Sequence, residues 1–175
     1  MKQKNMTSLT RLFLGISILI TTISCTSSTN PPTATNGLNI AVTTSAAGGQ
    51  YAPKNVLAIW IVDNAGKFIK SLTVNAAERK NDLTRWNSSS LGSTVDATTS
   101  ATRSGHGTIY ATWNGTDTSK KVVADGTYKV CMELSDKDGS GNYSTFTFVK
   151  GATAQTQTPA NVASFTDISL NWLPL

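Results

Sequence analysis

The stretch that most constrains this chain is GTIYATWNGTDTSKKVVADGTYKVCMEL, running from Gly107 to Leu134. Ile109, Ala111 and Trp113 alternate on one side of a first strand; Tyr128, Val130, Met132 and Leu134 alternate on one side of a second. A period of two over this length is the signature of strands with one buried face. Between them stand Asn114-Gly115 and Asp125-Gly126, both turn-forming pairs, because Gly accepts positive φ and Asn or Asp bonds the neighbouring backbone. Trp113 closing one strand and Tyr128 opening the next supply large anchors for a core between two sheets.

The flanking segments extend the pattern. Leu38–Thr44 alternates and reads as a first strand. Lys54–Asp63 is apolar on both faces, as expected of a central strand covered on both sides. Asn64–Lys67 makes a tight turn, and Phe68–Val74 returns as the hairpin partner. Asn75–Trp86 is the one helix-compatible segment, with Leu83 and Trp86 spaced to share a face. Asn87–Gly105 is Ser/Thr-rich and long for a connection, which makes it either functional or mobile. Tyr143–Val149 and Phe165–Leu173 read as the last strands, with a polar loop between them. About seven short strands and almost no helix predict an all-β chain, an immunoglobulin-like antiparallel β-sandwich over residues 37–175.

The first residues carry an address. Lys2, Lys4 and Arg11 precede the apolar run Leu12–Ile20, which is too short to span a bilayer and reads as a secretory signal over residues 1–24. TTISC resembles a bacterial lipobox with Cys25 as the lipidated residue, although Thr22 stands where Leu is usual. Residues 25–36 are rich in Ser, Thr and Pro and read as a flexible tether. Thr26, rather than Asp, follows the Cys, and favours the outer membrane, facing the periplasm. The full chain carries a net charge of +5, and loss of the three leader cations leaves about +2 on scattered residues, with no nucleic-acid surface. With Cys25 spent on lipid, Cys131 has no disulfide partner, and its place opposite Tyr128 and Val130 predicts a half-buried, inert thiol.

Motifs of the usual hydrolases and nucleotide binders are absent, so the expected domain binds or supports something and catalyses nothing. Asp136–Gly141 (DKDGSG) begins like a calcium loop, but its twelfth position is Thr147 inside a strand, and a polar hairpin turn is expected. His106, the single His, sits in RSGHG as a loop residue without companion ligands. Trp60, Trp113 and Trp172 fit alternating core positions; Trp86 remains as a candidate exposed platform for carbohydrate.

Three motifs bear a resemblance. The order of WIVD, GKFIKSL, LTRW, DATTSATR, WNGTD and DGTY is similar to a family of predicted periplasmic proteins, domain of unknown function 2271, over about Tyr51–Lys150. The portion holding Trp113, Asp117, Gly126 and Tyr128 is also similar to the immunoglobulin-like domain of flagellar hook-capping proteins. The Gly usual after that first element is replaced by TSKK, Thr118–Lys121, so the turn must be built differently. DATTSAT resembles the acceptor pattern of bacterial flavin transferases: Asp96, Thr99, Ala101 and Thr102 match, and Ser100 stands in the Gly position. This resemblance implies covalent FMN on the Thr102 hydroxyl, a flavin transferase and envelope redox proteins as partners, and an electron-carrier role. No pocket for the flavin ring is legible in the sequence.

Overall fold

A computed structural model describes residues 31–175. The leader, Cys25 and the first half of the expected tether lie outside the described residues.

Nine strands and one short helix follow each other as β1 (Gly37–Thr44), β2 (Val56–Asp63), β3 (Phe68–Asn75), α1 (Thr84–Ser90), β4 (Thr98–Ser100), β5 (Thr108–Trp113), β6 (Gly126–Ser135), β7 (Asn142–Lys150), β8 (Gln155–Gln157) and β9 (Phe165–Leu173). They form a four-stranded sheet, β5-β1-β9-β8, and a five-stranded sheet, β4-β3-β2-β6-β7. All pairings are antiparallel except β3 with β4. The expected all-β sandwich is therefore present, with nine strands in place of about seven. The two additional strands are the tripeptides β4 and β8, which lie in segments read from sequence as loops. Three residues carry too little periodicity to be legible; each is held by the longer strand beside it.

The inward residues of both sheets make the main core. Ile40, Val42, Ile59, Met132, Leu134 and Leu170 are all at most 3 % exposed and pack as one cluster with Trp113 and Trp172. The Tyr128 hydroxyl donates to the Ala124 carbonyl at 2.7 Å, a tyrosine corner that ties the entry of β6 to its preceding turn. The 114–126 turn is rebuilt around Asp117: its carboxylate accepts from the Ser119 and Lys121 amides, at 2.8 and 3.0 Å, and Lys120 takes the left-handed conformation at φ 65°. Asp117 and Lys120 thus supply the turn that Thr118–Lys121 must make without the usual Gly.

A second cluster lies on the outer face of the five-stranded sheet. Val56, Ala58, Trp60 and Val62 point there from β2, Cys131 from β6, and Leu83, just ahead of α1, and Trp86 within it cover them. This explains why β2 is apolar on both faces. Two expectations change as a result. Trp86 is fully buried, not a platform, and its indole N–H donates to the Ser71 hydroxyl at 2.9 Å. Trp60 is a core residue as expected, and its place is in this second cluster beneath α1. Cys131 is 2 % exposed rather than half-buried, because the α1 layer lies over it, and burial pushes its thiol pKa up. The helix also begins later than Asn75: a 3-10 turn at Lys80–Asp82 precedes it, and it extends past Trp86 to Ser90.

The sandwich has two distinct poles. Gly37 at the start of β1 pairs with Leu173 at the end of β9, beside Trp113, and Gly115 lies against Lys150 and Leu175. Residues 31–36 lead into β1 at this pole, with Pro31, Pro32 and Ala34 lying back along the outer face of the four-stranded sheet beside Asn39, Ala41 and Tyr110. The opposite pole gathers the loops: Ser45 donates to Ser164, Tyr51 to Asp136, and Asn55 and Arg103 exchange backbone bonds.

Candidate functional site

The acceptor-like segment is an edge strand followed by a loop. Thr98, Thr99 and Ser100 pair in parallel with Thr73, Val74 and Asn75, and all three are exposed. Their backbone direction carries the segment from the middle of β3 toward the loop-bearing pole. Both ends are fastened by side chains. Asp96, in the left-handed region at φ 56°, accepts from the buried Lys70 ammonium at 3.3 Å. Lys70 also donates to the Thr116 hydroxyl at 3.2 Å, so one ammonium joins β3, the β4 loop and the β5–β6 turn. Lys120 lies 4.0 Å from the other Asp96 oxygen, mostly in solvent. Ser100 donates to Asn75 Oδ1 at 2.8 Å.

Thr102 differs from its expected state. Its hydroxyl is neither free nor on a loose segment: it donates to the Glu78 carbonyl at 2.8 Å and accepts from the Glu78 amide at 3.0 Å. Ala101 beside it is exposed and Thr102 is half-buried. Asp96 and Thr102 are thus at opposite ends of the segment, with Thr99 and Ala101 between them. Two hollows border it. One, about 530 Å³, is lined by Lys70, Asp96, Thr98, Tyr110, Asn114 and Lys120 among others. The other, about 350 Å³, is lined by Val74, Ala76, Ala77, Lys80, Thr94, Thr99 and Ser100. Neither was legible in the sequence, since both arise from β3 and β4 lying side by side.

The remaining candidates resolve as structural ties. Asp136 is fully buried and accepts from the Ala47 and Gly49 amides at 2.8 and 2.9 Å, while Asp138 accepts from Gln50 and from the Tyr51 hydroxyl. The DKDGSG carboxylates are therefore spent on holding the 45–52 loop to the β6–β7 hairpin, as the polar-turn reading expects. Among the described residues no group of three His, Cys, Asp or Glu is arranged to hold a metal ion. His106 contacts the Thr44 hydroxyl through Nδ1 at 3.4 Å, and burial lowers its pKa against the opposing pull of Asp136.

One polar residue escaped the sequence reading altogether. Glu133 on β6 is fully buried, and its carboxylate accepts from the Arg85 amide at 3.1 Å and the Trp86 amide at 2.8 Å. It caps the first turn of α1 from another strand, doing what an N-cap side chain does locally elsewhere. Leu83, at the capping position, makes no such bond. The only signal was a Glu at a position inside an otherwise apolar strand.

Fold and site together define a two-sheet β-sandwich with a fastened, hydroxyl-rich edge segment. A family model described as predicted periplasmic protein (DUF2271) matches residues 37–166, and the chain belongs to that family. No curated protein and no solved structure matches the chain.

Proposed function

We propose that this protein is a lipid-anchored envelope protein whose β-sandwich is a non-catalytic binding or scaffold domain, held by Cys25 on the periplasmic side of the outer membrane. The supporting observation is the separation of the poles. The chain enters β1 beside Trp113 and Leu173, and the loops tied by Asp136, Arg103 and Thr102 assemble at the other end. The fold thus begins and ends at the first pole, and the loop-bearing pole lies at the far end of the strands, open to a partner. Mass spectrometry of the mature protein from a two-membrane bacterium tests this. The expected product begins at Cys25 with the added mass of acyl chains and fractionates with outer membranes. An unlipidated product beginning elsewhere overturns it.

A second reading has its own observation. The segment Asp96–Thr102 lies on an exposed sheet edge, with the 350 Å³ hollow lined by Val74, Ala76, Ala77 and Lys80 beside it. In this reading a transferase lets the Thr102 hydroxyl attack the pyrophosphate of a flavin adenine dinucleotide, so that the P–O–P bond breaks, AMP and the hydroxyl proton leave and FMN stays on Thr102 as a phosphodiester; the sandwich is then an electron carrier whose active group is the isoalloxazine. A transferase must first break both bonds from Thr102 to Glu78, a cost of about 1–3 kcal/mol. Co-expression with a flavin transferase should then give a yellow, fluorescent band with the added mass of FMN. That band should vanish in Thr102→Ala and survive in Thr98→Ala. No added mass, with the transferase active on a control substrate, leaves Asp96–Thr102 as a structural edge.

A further inference from the structure

We propose that the free side of β5, with the 530 Å³ cleft beside it, is a slot for one extended segment of a partner protein, taken up by strand addition and carrying an acidic side chain. This deepens the reading of the domain as a binding module, and rests on it.

Among the described residues β5 is the last strand of its sheet. Gly107 accepts from the Thr44 amide, so odd-numbered residues of this antiparallel ladder turn their backbone groups toward β1. The N–H and C=O groups of Thr108, Tyr110 and Thr112 therefore point outward. Proteins usually protect such an edge with charge, Pro or a bulge, and Thr108–Trp113 holds no charge and no Pro, and its register with β1 is unbroken. The other long edge is treated differently: on β7 the Val149 carbonyl accepts from the side-chain Nε2 of Gln155.

The width of the slot follows from the opposing sheet. β3 packs across from β5, and β4 continues that sheet one strand further. A strand added to β5 would lie beneath β4, in the cleft that Lys70, Asp96, Thr98 and Tyr110 line. A second copy of this chain does not fit there. Antiparallel pairing of β5 with its own image would carry the copy's β3 into the space of β4, whereas a single peptide strand brings no second sheet. Pro32 borders the same cleft, but forms no ladder with β5 and has no amide proton to offer.

Charge selects the occupant. Lys70 and Lys120 both reach the cleft, and Asp96 balances one of them. The Lys120 side chain is 76 % exposed at 4.0 Å from Asp96, free to turn to an incoming carboxylate. Strand addition supplies affinity through main-chain bonds, and such a contact sets preference.

The test uses the folded chain and two capped octapeptides of alternating Thr and Val, one containing a single Glu and the other a single Lys. NMR amide shifts and hydrogen exchange are read at Thr108, Tyr110 and Thr112. The Glu peptide should shift and protect these three amides saturably, at least ten-fold more tightly than the Lys peptide. Lys120→Glu should reverse that order. Tyr110→Pro removes one outward N–H and should weaken binding at least ten-fold, while Tyr110→Ala should not. Should Tyr110→Pro fail to fold, a Glu peptide N-methylated at alternate residues makes the same test from the other side. No saturable shift at these amides, or binding indifferent to N-methylation, overturns the slot. Lipidation at Cys25 is read separately, so a failed slot with an intact anchor removes this surface and leaves the tethered scaffold.

Discussion

Trp113→Ala should lower unfolding stability by about 3–5 kcal/mol, the range for truncating a large aromatic in a packed core. The indole is 1 % exposed and its ring centroid lies 5.3 Å from Tyr128, 5.9 Å from Phe148 and 6.3 Å from Trp172. Its N–H also donates to the Thr116 carbonyl at 2.7 Å, so the substitution leaves both a cavity and an unpaired acceptor. Trp113→Phe keeps most of the volume and loses the bond, and should cost clearly less. Denaturant melts of the two variants separate the contributions. An Ala variant as stable as the parent chain would mean that the two sheets do not depend on this aromatic group.

Glu133→Ala should cost about 3 kcal/mol, because it strips the first turn of α1 of its acceptor and leaves the buried Trp86 amide unpaired. The effect should be local at first: Trp60, Leu83 and Trp86 lose their cover before the main core does, and the Cys131 thiol becomes reactive toward alkylating agents. The variant should also alter the dependence on pH. Burial raises the Glu133 pKa from its ordinary 4.5, and the amide bonds from Trp86 and Arg85 only partly oppose it. A carboxyl raised by folding contributes stability that is full below about 4.5 and declines as pH rises through the folded value. That declining limb should be missing from the Ala variant. Equal stability profiles for the two proteins would show that Glu133 does not cap α1.

What the sequence made legible was what repeats within a single element. Alternation in Leu38–Thr44, Thr108–Trp113 and Tyr128–Leu134 identified strands, and the two-faced run at Val56–Asp63 identified the covered one. The layer that covers it was half visible: Leu83 and Trp86 could be paired, but the cap that starts their helix comes from Glu133, far along the chain. Trp86 was misjudged for the same reason, since nothing local shows that Ser71 receives its N–H. In the candidate segment, the resemblance to an acceptor pattern implied an available Thr102 hydroxyl. The bonds to Glu78 that occupy it depend on where β3 ends, and no spacing records that.

The pairing of Gly37 with Leu173 has a consequence for how this unit can be joined to others. Because the first and last strands of the fold lie side by side, the start of β1 and the end of β9 fall on the same small patch. The unit can be spliced as a single insert into a surface turn of a host protein without prising that turn apart. Copies strung head to tail would hang side by side from their linkers, like pendants on a cord, rather than stack into a rod.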